Sequence, residues 1–369
     1  MVVFASHSVP QPLRQSITST LSLEILKMTY LFSHSTRLLW ICLVVLLVGK
    51  PLIAADQSSL PVIEPKVQLT HAEAGDQDDL CVWRDAADPS RSLVITSDKK
   101  ANLIAVYDLQ GKLLQTLPVS KPGNIDLRHG VKVGQESRDL VVVNQRSDGW
   151  KLAVFAVHAA ERRLQRLDQN DLKTGPNYGL CLYNSPASGL LHAVITSEAG
   201  TMEQYAFNFS AKSPAIQRVR HWKLGKTEGA MADDALGRLY LSEEEGGVWE
   251  LGAEPDQPTP GKLVIRLGEH GLQPDLEGIA LLTTSKVDGY LLLSSQGQSR
   301  FFVYERTGQH RFVGTFAIAG AEETDGIDVL ATPLGPDFPH GIFGCHTAKT
   351  KPCRILLTPW DAIARQVTP

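Results

Sequence analysis

The feature that most constrains the fold is an internal repeat of strand, polar loop and second strand, which occurs six times along the chain. Each copy starts with an apolar run, passes through polar residues and ends in a second run that carries an aromatic or large apolar side chain. Almost no amphipathic helical pattern competes with these strands. The six copies lie at residues 93–109, 140–157, 192–208, 239–251, 290–305 and 341–360.

A second short element precedes each copy and sets the length of the repeat. Its first residues are Asp78, Asn124, Tyr178, Glu228, Glu277 and Asp325. Successive members are 46, 54, 50, 49 and 48 positions apart, a period typical of propeller blades rather than of helical solenoids. The repeat predicts an all-β fold, a six-bladed β-propeller with four-stranded antiparallel blades. A strand from residues 60–72 is expected to complete the last blade and close the ring.

The first residues of the six elements occupy equivalent positions, so we expect them to meet at one mouth of the central channel. Four of them are carboxylates, one is an amide and one is a phenol. Carboxylates repel one another at short range unless cations balance their charge. Oxygen donors in flexible geometry suit Ca²⁺, whereas Mg²⁺ or Mn²⁺ is less natural here. The sequence therefore predicts a calcium site on the channel axis.

The loops that follow the first strand of each copy are expected to form a second ring at the same mouth. Glu243, Glu244 and Gln296 add oxygen donors, and Lys99, Lys100 and Arg146 stand on neighbouring blades. Cations beside a metal cluster indicate an anionic ligand that bridges both, and lysine and arginine suit phosphate. Any one of these residues alone is more often a solvated turn, so the prediction depends on their equivalence across the repeat.

Residues 1–55 are expected to lie outside the folded domain, which we predict to be a single propeller over residues 56–369. The apolar run at residues 38–48 is too short for a bilayer, which needs about 20 residues. Arg37 precedes it, and the small residues Ala54 and Ala55 follow. This pattern indicates a secretory signal peptide and export to the periplasm or the medium. An uncleaved membrane anchor is the alternative.

Charge and cysteine content exclude some functions. The net charge of −4 gives no support for nucleic-acid binding, which needs a basic face.

Cys81 and Cys181 lie in apolar strand patterns and are expected to be buried. Cys345 and Cys353 are close enough in sequence to pair in an oxidising compartment, although the sequence does not decide whether they do.

A series of short motifs is spread over nearly all of residues 78–360. In order they read SDKK (97–100), GNIDLR (123–128), NQRSDG (144–149), EGAMADD (228–234), PDLEGI (274–279), SSQG (294–297) and TDGIDVL (324–330). Through this series the chain resembles the β-propeller phytases. The resemblance implies a phosphate monoester hydrolase that uses several calcium ions, with a phytate-like phosphate ester as its substrate. It also implies attack by a metal-activated water, in a protein that we expect to be a monomer free of the membrane after signal cleavage.

The resemblance implies a role for each matching residue. Calcium ligands at the cleavage site would be Asp78, Glu228, Glu243, Asp275, Glu277 and Gln296. Asp79 and Asp325 would belong to calcium sites that support the fold. Phosphate would be held by Lys99, Lys100 and Arg146, and Arg128 is predicted as a further substrate contact. Catalytic roles are predicted for Glu228, Glu243, Lys99, Arg146 and Tyr178.

Two loops depart from the family pattern and keep other functions open. Glu198 stands where the family usually offers a lysine to a second phosphate, and residues 344–347 read Gly-Cys-His-Thr where an Asn-Gly-Glu run is usual. One alternative is therefore a non-catalytic propeller that binds an anionic ligand or a protein partner. Another is a propeller lactonase or esterase that uses one calcium, although basic residues at the mouth argue against it.

Overall fold

The computed structural model describes residues 60–147, 149–169, 171–210, 213–348 and 351–367. Within these ranges the chain forms 26 strands and one helix of eight residues, α1 (Trp360–Val367). The predicted signal peptide and its apolar run lie outside the described residues. In the part of the chain that the structure describes, no helix is long and apolar enough to cross a membrane.

The strands form six antiparallel sheets that follow one another along the chain, so the predicted six-bladed β-propeller is confirmed. Two short strands come first, β1 (Val62–Ile63) and β2 (Val67–Leu69). Blade 1 contains β3 (Gln77–Trp83), β4 (Leu93–Asp98), β5 (Leu103–Asp108) and β6 (Leu113–Pro118). Blade 2 contains β7 (Pro122–Val133), β8 (Glu136–Gln145), β9 (Lys151–His158), β10 (Arg163–Arg166) and β11 (Leu172–Lys173). Blade 3 contains β12 (Leu180–Asn184), β13 (Leu191–Ile195), β14 (Thr201–Asn208) and β15 (Ala215–Lys223).

The second half of the chain repeats the arrangement. Blade 4 contains β16 (Thr227–Asp233), β17 (Arg238–Glu243), β18 (Gly247–Gly252) and β19 (Lys262–Arg266). Blade 5 contains β20 (Leu276–Thr283), β21 (Gly289–Ser295), β22 (Arg300–Glu305) and β23 (Phe312–Ile318). Blade 6 contains β24 (Ile327–Leu330), β25 (Ile342–Thr347) and β26 (Arg354–Pro359).

The two short N-terminal strands close the ring. β2 pairs antiparallel with β26, with Val67 opposite Leu357, and so supplies the fourth strand of blade 6. This is the closure expected from residues 60–72. β1 adds a contact that the sequence did not predict, because it pairs in parallel with β23 of blade 5. The start of the described chain is therefore bound to the two blades that complete the ring.

The hydrophobic core lies between neighbouring blades. Strands β4 and β5 are buried along their whole length, because each blade is covered on both faces by its neighbours. In one such layer, Ile95 and Val106 of blade 1 pack with Val141 and Phe155 of blade 2. Strand β6, at the outer edge, contains no fully buried residue. The blades are therefore held together mainly by apolar packing.

The cysteines of the described residues are all buried free thiols. Burial of Cys81 and Cys181 is confirmed. Cys353 and Cys345 do not form a disulfide, although the sequence left that pairing open. The Cys353 Sγ instead accepts the Gln77 N–H at 3.3 Å and donates to the Thr347 carbonyl oxygen at 3.3 Å.

A buried ion pair links blades 4 and 5. Asp233 at the end of β16 and Arg306 after β22 are each 1 % exposed. Two hydrogen bonds of 2.7 Å join the guanidinium to the carboxylate. Loss of one partner leaves the other charge buried without compensation, at a cost of about 3–5 kcal/mol.

We expect Asp233→Asn to lower the free energy of unfolding by that amount in urea denaturation. Glu305→Gln is the matched control, since it breaks the exposed pair with Arg311 and should leave the free energy of unfolding close to that of wild type. Equal losses in the two variants would contradict this account.

Candidate active site

The inner strands of the six blades stand side by side around the channel. Each contacts the next in the order β3, β7, β12, β16, β20, β24 and back to β3. Glycine makes this approach possible at Gly179, Gly229 and Gly278, where an added Cβ would lie 1.8, 2.5 and 2.3 Å from a carbonyl oxygen of the next inner strand. Any larger side chain there would push the strands apart. The residues that precede these glycines are therefore brought close together.

Asp78, Asn124 and Glu228 meet around one guanidinium at the channel mouth. The Lys99 Nζ lies 2.5 Å from the Asp78 Oδ1, and the Arg146 Nη2 lies 3.5 Å from the Asp78 Oδ2. The same Nη2 donates to the Asn124 Oδ1 at 2.8 Å and forms a short ion pair with Glu228. Arg146 thus links side chains of blades 1, 2 and 4. Neighbouring carboxylates raise the pKa values of Arg146 and Lys99, so both stay charged.

The aromatic ring of Tyr178 packs against the Arg146 guanidinium. Its ring centroid lies 4.8 Å from the Arg146 guanidinium carbon and 5.3 Å from the Lys226 Nζ, distances typical of cation–π contacts. Burial, followed by the charge of Glu228, raises the pKa of the phenol. Tyr178 is therefore neutral and can donate its hydroxyl hydrogen.

Glu277 and Asp325 are the most strongly perturbed acids of the site. Burial, followed by the charge of Glu228, raises the pKa of Glu277 to about 11. Burial, followed by the charge of Asp78, raises the pKa of Asp325 to about 8. Gln296 donates a short hydrogen bond to Asp325, and the Glu277 Oε2 has no hydrogen-bond partner. In this arrangement the two acids are protonated at neutral pH.

His346 lies behind Asp325 and completes this side of the site. Its Nδ1 accepts the Asp325 N–H at 3.2 Å, and the ring is fully buried. Burial lowers the pKa of His346 to about 4, so the ring is neutral and adds no charge.

The raised pKa values of Glu277 and Asp325 predict a pH-dependent stability of the metal-free protein. The pKa of Glu277 is raised to about 11 in the folded state from the 4.5 of a free carboxyl group, so folding favours the protonated form. Its stabilising effect is complete at low pH and is lost as pH rises toward 11. We expect the midpoint of thermal unfolding in chelator to be higher at pH 5 than at pH 8. Glu277→Gln should reduce that difference, and an unchanged difference would contradict the account.

The structure brings together most of the residues that the sequence singled out. Around the mouth it places Asp78, Lys99, Arg146, Tyr178, Glu228, Glu277, Gln296 and Asp325. Asp275 belongs to the same neighbourhood, since its charge acts on Glu244 and Lys226. The roles predicted for these residues remain predictions.

Three other residues singled out by the sequence lie outside this group at the mouth: Asp79, Arg128 and Glu243. Asp79 points between blades 1 and 2, where its carboxylate accepts the Ile125 N–H at 3.1 Å and the Asn124 Nδ2 at 3.3 Å. Burial raises its pKa, so the side chain serves as a neutral link between inner strands.

Arg128 does not join the basic residues at the mouth. It lies four residues beyond Asn124 on β7, a rise of roughly 13 Å along a strand. There its Nε donates to the Asp234 Oδ2 at 2.9 Å and its Nη1 donates to the Asp126 Oδ1 at 2.9 Å. These contacts join blades 2, 3 and 4, and the predicted contact of Arg128 with substrate stays a prediction.

Glu243 and Glu244, which the sequence placed together in the acidic group, have different partners in the structure. The Glu243 Oε2 accepts the Trp249 Nε1–H at 2.7 Å, beside Gly225 and Gly246. Glu244 instead turns toward the site, where its Oε2 lies 2.6 Å from the Lys226 Nζ. Glu244 lies in the turn just beyond the end of β17, so its side chain takes a different direction from that of Glu243.

A basic cavity of about 600 Å³ opens beside the channel mouth. Its walls include Lys99, Lys100, Lys121, Arg146, Trp150, Asn177, Tyr178 and Glu198. Sequence reasoning missed Lys121 and Lys226, neither of which falls at a repeated position. Lys226 lies two residues before Glu228, and that closeness to a ring member was the only available signal.

The donors at the mouth fit a hard cation. Among the described residues, no three acidic, histidine or cysteine side chains are already arranged as a metal site. Asp78 and Glu228 are instead paired with Lys99 and Arg146, and Glu244 is paired with Lys226. Glu277 and Asp325 are protonated. The Glu277 Oε2 and Glu244 Oε1 are buried without a hydrogen-bond partner, and all donors are oxygens, which suits calcium.

Comparison with known proteins shows the family to which the chain belongs. A family model described as Phytase matches residues 36–351. The chain is 36 % identical over 279 residues to the 3-phytase of Bacillus subtilis (strain 168), covering 72 % of this chain and 73 % of that protein. The family match includes blades 1 to 5 and part of blade 6, and so is not confined to one motif.

Solved structures with low identity share the propeller architecture. A luciferin-regenerating enzyme has a TM-score of 0.50 and 13 % identity, covering 79 % of this chain and 95 % of that one. The calcium-binding protein regucalcin from Agrobacterium tumefaciens has a TM-score of 0.52 and 10 % identity, covering 81 % and 96 %. At this identity they support the fold alone.

The fold and the site define a β-propeller with an acidic and basic cluster at one mouth of its channel. The family match and the identity to a 3-phytase show the family: the chain belongs to the phytase family.

Proposed function

We propose that the protein is a calcium-dependent phosphate monoester hydrolase whose substrate is phytate or a similar phosphate ester. The observation that carries the proposal is the close grouping of Asp78, Glu228, Lys99 and Arg146 at one mouth. Carboxylates there can hold a cation, and the two basic groups can hold phosphate. The family and the 3-phytase relative support the same chemistry.

Asp78, Glu228, Glu277 and Asp325 would hold the calcium ions, together with Glu244, Asp275 and Gln296. When bound, calcium neutralises phosphoryl oxygens and lowers the pKa of a bound water. Cation binding would displace the protons of Glu277 and Asp325, because a positive charge favours their ionised forms. It would also loosen the pairing of Lys99 and Arg146 with the carboxylates and leave both free for substrate.

Lys99 and Arg146 would act on the phosphoryl group itself. The guanidinium donates in a planar fork that matches two phosphate oxygens, and lysine adds a compact charge. Both are held in place before substrate arrives, so little reorganisation is needed as charge develops in the transition state. Tyr178 keeps the guanidinium in position through its ring face and can donate a hydrogen bond to the bound group. No side chain is required as a covalent nucleophile.

We also propose that the protein is exported and acts as a monomer. The basic residue, apolar run and small residues within 37–55 support export, since they form the pattern of a secretory signal.

The proposed function predicts phosphate release from phytate that depends on calcium. Purified protein, freed of metal with a chelator, should be inactive toward phytate and p-nitrophenyl phosphate, and added Ca²⁺ should restore release. Activity that persists in chelator would contradict the calcium dependence. Absence of release at every calcium concentration, with calcium still raising thermal stability, would favour the non-catalytic propeller.

A further inference from the structure

The outer wall of the basic cavity carries a tryptophan in an unusual conformation. Trp150, in the loop between β8 and β9, has a backbone φ of 49° and follows Gly149, whose φ is 89°. Left-handed backbone is costly for a bulky side chain. The Thr174 N–H donates to the Trp150 carbonyl oxygen at 2.9 Å and holds the residue there.

The side chain of Trp150 is also exposed, at 42 %. Packing between blades therefore does not explain a bulky residue at this strained position. The indole instead borders the cavity that Lys99, Lys100, Lys121 and Arg146 line from the inner side. An exposed aromatic ring beside converging polar groups is typical of ligand sites.

Two of the lysines that line the same cavity as Trp150 have no carboxylate partner within the described ranges. Among the residues that the structure describes, Lys100 and Lys121 form no ion pair with a carboxylate, whereas Lys99 and Arg146 do. If these lysines held the anionic group of a ligand, the remainder of that ligand would lie beside Trp150. The cavity, at about 600 Å³, has room for both parts.

We propose that Trp150 is a specificity-determining residue that stacks against the carbon ring of the phosphate ester. The inference rests on the proposed function and deepens it. The substrate class is an ester whose phosphate is attached directly to a ring, either aromatic or aliphatic, with one face free of charged groups. The flat indole covers that face and excludes water, while the lysines and Arg146 hold phosphate.

The test compares ring and ringless ligands in wild type, Trp150→Gly, Trp150→Phe and the control Leu190→Ala. Leu190 is similarly exposed, at 44 %, and does not line this cavity. We expect Trp150→Gly to lower the ratio of kcat/KM for p-nitrophenyl phosphate over glycerol 2-phosphate about tenfold, mainly through KM. Trp150→Phe should keep most of the preference, and Leu190→Ala should keep all of it.

Thermal unfolding separates recognition from a structural role. Glycine adopts positive φ readily, so Trp150→Gly should keep its unfolding midpoint within about 2 °C of wild type. An equal loss with both substrates, or an unchanged ratio, would overturn the inference.

A binding measurement tests the inference even if the protein has no phosphatase activity. Benzylphosphonate and methylphosphonate, which are not hydrolysed, are titrated calorimetrically into calcium-loaded protein. We expect wild type to bind benzylphosphonate about tenfold more tightly, and Trp150→Gly to lose that preference. This result would support the inference even where turnover fails. No preference in wild type would overturn it even where turnover is found.

Discussion

Arg146→Gln is expected to lower kcat/KM for phosphate release from phytate by about 10²–10³-fold, the usual effect of losing one preorganised donor to a transition state. Arg146 contacts Asp78, Asn124, Glu228 and the Tyr178 ring at once, so the substitution removes both a phosphate donor and the group that orders its neighbours. Glutamine keeps a hydrogen-bond donor but loses the charge and the planar fork.

Steady-state kinetics in saturating calcium measure this effect. The control is Arg163→Gln, because Arg163 forms an exposed pair with Glu161 on the rim of blade 2. Arg146→Lys should recover only part of the rate, since lysine restores charge without the fork. If Arg146→Gln kept more than half of wild-type kcat/KM, the placement of phosphate at this guanidinium would be wrong.

Glu228→Gln should lower phosphate release at least about 100-fold and weaken calcium binding with it. Glu228 is 5 % exposed and pairs with Arg146. It is also the charge that, after burial, most raises the pKa of Glu277. Glutamine preserves the shape and one oxygen donor but removes the negative charge on which the cation depends.

The calcium dependence of activity distinguishes this variant from a simple loss of folding. We expect the half-saturating calcium concentration to rise in Glu228→Gln while the circular dichroism spectrum stays that of wild type. Glu161→Gln, the partner of the Arg163 control, should leave both quantities unchanged. A Glu228→Gln variant with wild-type calcium dependence would remove this carboxylate from the proposed ligand set.

The repeat predicted the blade count and the ring of six equivalent residues because both follow from spacing. A period near 50 residues defines one blade, and equivalent positions in a closed ring must face the same axis. In the structure, Gly179, Gly229 and Gly278 allow the close approach of inner strands that such a ring requires. The closing strand β2 was also predictable, because the last blade would otherwise lack one strand.

The sequence could not decide details that depend on where a strand ends. Choosing between Glu243 and Glu244 requires the face to which each points, and β17 ends at Glu243. The ion-paired contacts of Arg128 were also out of reach, because Asp126 and Asp234, which it contacts, lie on different blades and belong to no repeated position. Trp150 carried no periodic signal, because its importance lies in its backbone φ and its exposure.

The most direct test of calcium binding at the channel mouth is a calorimetric titration of Ca²⁺ into metal-free protein at pH 7, repeated in buffers of different ionisation enthalpy. Glu277 and Asp325, with pKa values of about 11 and about 8, are protonated before the metal binds. We therefore predict calcium binding accompanied by proton release, with less release in Glu277→Gln. Absence of calcium binding, or binding with no proton release in wild type, would contradict the account.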